Sequence, residues 1–204
     1  MKTEQIHGRL TDLLSPAAMR WAEASCAAVA AHPPALFELS AVAGLRCGRA
    51  PLGCDLPDWT ADDAVRALML CSLPLDGPEL VETVAAVYRQ GDTLERRAVL
   101  RTLPLLAIGD EAVPLVRDAL RTNDPRLIAV ALGPYAAEQL DQRSWRDGVL
   151  KCLFMGVPLV AVAGLDRRSD PELIRMFRDY AAERAAAGRS VPTDLRILLD
   201  SQET

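Results

Sequence analysis

Residues that start and stop helices recur at short intervals along this chain, and that punctuation confines each segment between them to a short helix. Ser15-Pro16 opens one, with Pro at the first helical position where its missing N–H is not needed, and Pro33-Pro34 closes it after about Ala31. A short run through Leu36, Phe37, Leu39 and Val42 follows. Residues 44–60, with Gly44, Gly48, Pro51, Gly53 and Pro57, read as a long connection, a length at which loops are often functional. Thr60-Ala61-Asp62-Asp63 resembles a capping start for a helix through Val65, Leu68, Met69 and Leu70. The next helix begins near Asp76, and its Leu80, Val81, Val84, Val87 and Tyr88 share one face at helical spacing.

Gly91-Asp92 ends that helix and starts another, Asp92 and Glu95 standing at capping-box spacing. Gly109-Asp110 repeats the device, and Asn123-Asp124-Pro125 caps the helix that Gly133-Pro134 then stops. Asp141 through Phe154 reads as a helix with polar first turns and an apolar end, broken by Gly156-Val157-Pro158. Ser169-Asp170-Pro171-Glu172, with Ser169 as the expected cap, launches a long helix to about Ala187, and a last short helix starts near Pro192. The apolar half of the composition is carried by Ala and Leu rather than by β-branched and aromatic residues, and aromatics are only 4% of the chain, so a large sheet lacks its raw material. The expected fold is all-α in a single domain, residues 1–204.

A faint internal echo gives that fold a shape. Asp124-Pro125-Arg126-Leu127-Ile128 with Tyr135-Ala136-Ala137-Glu138 resembles Asp170-Pro171-Glu172-Leu173-Ile174 with Tyr180-Ala181-Ala182-Glu183, at offsets of 46 and 45 residues. That period matches HEAT-type helical pairs, and the expectation is a HEAT-like stack of antiparallel helix pairs, roughly ten helices in all.

Charge and motif content exclude several functions. The net charge is −5, with 23 basic and 28 acidic residues and no block of like charges, whereas a nucleic-acid binder concentrates positive charge on one face. Met1 to His7 contains no apolar core of a secretory signal, which predicts a cytoplasmic protein. The most lipid-like stretch, Val149 to Leu165, is interrupted by Lys151, Gly156 and Pro158 and reads as buried core. The five cysteines are widely spaced and read as reduced thiols; Cys47 and Cys54 stand farther apart than a zinc ligand pair, and no metal or other cofactor is expected. No paired-carboxylate spacing, Gly-rich phosphate loop or HExxH is present, so no catalytic residue is assigned.

From about Arg121 onward several blocks follow one another in a specific order. They are Arg121-Thr122-Asn123, Pro134-Tyr135-Ala136, and Trp145 leading to Val149-Leu150-Lys151-Cys152-Leu153-Phe154. Gly164-Leu165-Asp166-Arg167-Arg168, Pro171-Glu172-Leu173, Tyr180-Ala181, Glu183-Arg184 and Ala187-Gly188-Arg189 complete the series. This text resembles the EboA family, named for its place in the bacterial ebo gene cluster. The first half matches only as a helical pattern, including Arg97-Ala98-Val99-Leu100-Arg101; Gly133 and Cys152 depart from the pattern. The resemblance implies a role in secondary-metabolite biosynthesis or traffic, beside a prenyltransferase-like membrane protein and other pathway enzymes as partners. It implies no particular reaction.

On this reading the candidate ligand-binding residues are Arg121, Asn123, Tyr135, Trp145, Lys151, Asp166, Arg168, Tyr180, Glu183 and Arg184. Arginine forks bind carboxylates and phosphates bidentately, so a cleft where Asp166, Arg167, Arg168, Glu183 and Arg184 converge would take an anionic or polar head group, with Val149 to Leu165 around an apolar tail. The bland reading of the same charges is a set of salt bridges that fix the loop, and Lys151 reads as a snorkelling side chain. Three functions follow: a carrier of a small metabolite, an isomerase or cyclase acting without metal on an isoprenoid-like or cyclic intermediate, or a scaffold that docks other pathway enzymes.

Overall fold

The computed structural model describes residues 2–53, 56 and 58–201. Among them the chain is all-α, with 13 α-helices and no strand beyond an isolated bridge between Pro51 and Thr60. It forms two compact units, Met1–Leu115 and Val116–Thr204.

The first unit holds α1 (Thr3–Leu13), α2 (Pro16–Ala31), α3 (Ala35–Cys47), α4 (Ala61–Cys71), α5 (Gly77–Gln90) and α6 (Thr93–Thr102). The cap signals set several of these ends: Ser15 Oγ accepts from Ala18 N, and Asp92 with Glu95 forms the full capping box of α6. The face of α5 is as expected, with Leu80, Val84, Val87 and Tyr88 buried. Helix α1 carries Ile6 and Leu10 into the core, but no capping signal announces it in the sequence.

Helix α4 is the centre of this unit. It packs against α1, α2, α3 and α6, and nine of its 11 residues are buried. Small side chains at Ala61, Ala64 and Ala67 let neighbours approach on several sides, which an amphipathic helix does not allow. Thr60 precedes it, yet its hydroxyl donates to Asp62 Oδ1 at 2.6 Å and caps no backbone N–H.

Helix α7 (Val113–Arg121) carries the chain into the second unit, which holds α8 (Pro125–Ala131), α9 (Pro134–Gln139), α10 (Gln142–Met155), α11 (Leu165–Arg168), α12 (Pro171–Ala186) and α13 (Thr193–Ser201). Trp145, Val149 and Cys152 of α10 are fully buried, as are Ile128, Leu173 and Phe177. Asp124 and Asp170 both cap helices that begin with Pro, accepting from Arg126 N and Leu173 N. The echo stops there, because Gly133-Pro134 splits α8 from α9 while α12 runs unbroken. The cap of α12 is Asp170 and not Ser169, whose hydroxyl donates instead to Leu165 O. With α1 and the four-residue α11 unannounced in the sequence, the count exceeds the ten expected.

No helix among the described residues is long and apolar enough to cross a membrane. Cys54, part of the cysteine pair weighed from the sequence, lies outside the described residues.

Candidate functional site

Residues 156–169 build the site in the second unit. Helix α10 closes with a Schellman motif, Gly156 N donating to Leu153 O and Val157 N to Cys152 O at 2.9 Å, which turns the chain across the helix end. One 3-10 turn, Leu159–Ala161, follows, and Ala163 N then donates to Leu132 O at 2.9 Å. Gly164 starts α11 in the left-handed region at φ 74°, where a Cβ would also stand 3.2 Å from Ala137 Cβ, so the chain needs glycine there.

Helix α13 is docked onto this segment mainly by two residues. Leu195 is its one buried side chain, and Asp194 Oδ2 accepts from Leu159 N at 2.7 Å while Oδ1 accepts from Leu195 N. Leu198 and Leu199 are half-buried, whereas Ile197 is 63% exposed and, across from it, Val160 is 92% exposed. Between them lies a groove of about 580 Å³ with Leu159, Val162 and Leu165 in its floor and Asp166, Ser169, Asp194 and Ser201 as its polar lining. That volume is within the range of small-molecule sites.

Of the ten sequence candidates, Asp166 lines this groove, exposed and without an ion pair among the described residues. Arg168 points elsewhere. Its Nη1 donates to Ala136 O and Ala137 O at 3.0 and 3.1 Å, its Nη2 to Leu140 O at 2.8 Å, and Nε and Nη2 both meet Gln142 Oε1. The guanidinium lies 4.8 Å from the centre of the Trp145 ring. Arg168 is thus a C-terminal cap of α9, a cation on carbonyls at the helix end, of which Ala136 O also accepts from Leu140 N. Its neighbour Arg167 pairs with Glu138 at the surface.

The remaining candidates scatter. Tyr180 donates to Leu153 O at 3.0 Å, meets Phe154 edge-to-face, and is covered by Arg184, whose Nε donates to Ser190 O. Tyr135 and Trp145 are buried, Lys151 is half-buried, and Asn123 and Glu183 are exposed. Arg121 is an exposed partner of Asp118. The structure therefore joins Arg168 with Trp145 and Tyr180 with Arg184, and it does not gather the charges into one cleft.

The first unit holds a charge cluster that the sequence reading passed over. Asp62 and Asp63 are fully buried on α4. Adjacent positions on a helix diverge by about 100°, so the two carboxylates serve different neighbours. Asp62 accepts from Thr60 Oγ1 and from Arg66 Nη1, both at 2.6 Å, and Arg66 Nε donates to Ser40 O at 3.0 Å. Arg49 Nε comes within 3.8 Å of Asp62; a Cβ on Gly44 would stand 3.2 Å from that nitrogen, so glycine leaves Arg49 its path. Burial works against the Asp62 charge, but the hydrogen bonds from Thr60 and Arg66 and the nearby guanidiniums hold its carboxyl below the usual range.

Asp63 faces α6. Its Oδ1 accepts from Arg97 Nε at 3.2 Å, while Oδ2 lies 2.9 Å from Arg97 Nη2 and 3.4 Å from Arg101 Nε without an aligned hydrogen bond. Burial prevails over the attraction of Arg97 and pushes this carboxyl up. Arg101 rests on the Trp59 ring, 5.6 Å from its centre. Trp59 is held there by backbone bonds on either side of it, Leu52 N donating to Trp59 O and Ala61 N to Ala50 O, both at 2.9 Å. Two adjacent aspartates followed by Arg66 inside an Ala-rich run, and two arginines one turn apart at 97 and 101, were the signal available. An amphipathic surface helix carries the same pattern, which is why it reads as solvated.

No curated protein and no solved structure matches the chain. The family model described as "Metabolite traffic protein EboA" matches residues 37–200, which take in both the α4–α6 cluster and the groove beside α13. The chain belongs to the EboA family.

Proposed function

We propose that this protein is an accessory factor of secondary-metabolite biosynthesis or traffic that binds a small, partly apolar metabolite in the groove between Leu159 and α13. The observation that carries the reading is the groove itself, with an apolar floor, an exposed apolar wall at Val160 and Ile197, and an unpaired carboxylate at Asp166. The family's description as a metabolite traffic protein supports the same role. Asp194 already accepts two backbone N–H groups, and Ser169 and Ser201 donate their hydroxyls to Leu165 O and Leu198 O, so the Asp166 carboxylate and the lone pairs of the two hydroxyls are left to meet the ligand. They favour a polar head that donates hydrogen bonds, such as a hydroxyl or an amine, over an anion. In this reading the protein works in the cytoplasm, handing its cargo to or from other proteins of the pathway, the membrane prenyltransferase among them.

The test is incubation of purified protein with extract from a strain carrying the pathway, followed by mass spectrometry of the retained fraction. Val160→Glu and Ile197→Glu place a charge on exposed groove walls without touching the core. Retention of one metabolite by the wild type, lost in both variants, is expected. Conversion of a metabolite to a new isomer would favour the isomerase or cyclase reading, and retention unaffected by the variants would move the site elsewhere.

A further inference from the structure

We propose that Arg97, Arg101 and Trp59 in the first unit form a binding site for an oxyanion, a carboxylate or phosphate group carried by a small molecule. The site is independent of the groove beside α13 and of its ligand.

Asp62 and Asp63 are fully buried and face three largely buried guanidiniums: Arg66, Arg97 at 15% side-chain exposure and Arg101 at 12%. Arg66 is consumed by Asp62 and Ser40 O. Among the described residues that leaves Asp63 as the one carboxylate in ion-pair contact with both Arg97 and Arg101, with Asp62 acting on Arg97 only through its field. Asp58 is exposed and acts on Arg101 only through its field, and Arg49 is a further, largely exposed cation on the Asp62 side. An uncompensated charge out of water is costly, and an anion placed beside the pair removes that cost.

Geometry makes the same point. Arg101 forms no aligned hydrogen bond with any described residue; its buried Nε has only the 3.4 Å ion-pair contact with Asp63 Oδ2, which likewise accepts no aligned hydrogen bond. A guanidinium has five N–H donors in a fixed fork suited to carboxylate and phosphate oxygens. Here the fork is held by the Trp59 ring on one face and by the Asp63 carboxylate at its Nε edge, so it is oriented before any ligand arrives. Arg97 is fixed too, by Asp63 and by donation to Thr60 Oγ1 at 3.1 Å. Both arginines lie one turn apart on α6, on the face that meets α4. Groups that make a salt bridge only for stability are paired off; these two are positioned and left short of acceptors.

The test is titration with inorganic phosphate and, separately, acetate against sodium chloride at constant ionic strength. The Arg101 Nε–Hε resonance is followed in the wild type by NMR, alongside the unfolding temperature. The proposal expects a saturable shift of the Arg101 resonance and a rise in Tm that chloride does not reproduce. Arg101→Gln removes both responses. A wild-type Arg101 resonance that responds to phosphate and acetate no more than to chloride would overturn the proposal, whatever the variant does. So would an anion response retained in Arg101→Gln.

Discussion

Arg167 and Arg168 are adjacent and chemically identical, yet the structure gives them different work, and replacing each by Met separates the two roles. Arg168→Met strips donors from the carbonyls of Ala136, Ala137 and Leu140, the last turn of α9 and the residue after it. At about 1 kcal/mol for each hydrogen bond, these three amount to about 3 kcal/mol. Loss of the cation over the Trp145 ring adds about 1 kcal/mol. The total, about 4 kcal/mol, corresponds to a fall in Tm of roughly 8–16 °C for a chain of this length. Arg167→Met breaks only an exposed pair with Glu138, worth about 0–1 kcal/mol. Chemical denaturation and differential scanning calorimetry on the two variants measure the contrast. Because Arg168 does not line the groove, metabolite retention by folded Arg168→Met should equal that of the wild type. Equal stability of the two variants, or a folded Arg168→Met that has lost the metabolite, would refute the assignment of Arg168 as a helix cap.

The remaining predictions concern the docked helix and the buried aspartates. Asp194→Ala removes the acceptor of Leu159 N and should cost about 1–2 kcal/mol, read as faster amide exchange across α13 while α10 stays protected. Asp62 and Asp63 should give opposite pH dependences. The folded Asp62 carboxyl is held below its ordinary value of 3.8, so its contribution is present above that pH and is lost as pH falls through the lower folded value. The Asp63 carboxyl is raised, so its contribution is present below 3.8 and is lost as pH rises through the higher folded value. Measured against pH, Asp62→Asn should therefore lose ground to the wild type as pH rises and Asp63→Asn should gain it. Parallel curves would contradict the environments described for the two carboxylates.

How much of this was legible depends on whether a residue's role is local. Caps are local: Ser15, Asp92 with Glu95, Asp124 and Asp141 set helix starts within four residues of themselves, and the sequence showed each. The periodic face of α5 is local in the same sense. The roles of Asp62, Asp63 and Arg66 are not, because their burial is decided by α3 and α6 closing over a helix that by itself looks amphipathic. Arg168 shows only its charge in the sequence, and it is the path of the chain from α9 to α11 that brings backbone carbonyls to it. The apolar segment from Val149 to Leu165 divides between the two outcomes: Val149, Cys152 and Leu159 are core, whereas Val160 is almost wholly exposed beside the groove.

The central claim is that a metabolite occupies the groove of the second unit, and methyl-labelled NMR tests it most directly. With Ile, Leu and Val methyls assigned, the metabolite retained from extract is titrated into the protein. The account predicts that Val160, Val162, Leu165 and Ile197 shift together and saturate at one affinity, while the buried methyls of α4, Val65 and Leu70, stay in place. Saturable shifts confined to other residues, with Val160 and Ile197 unmoved, would contradict it.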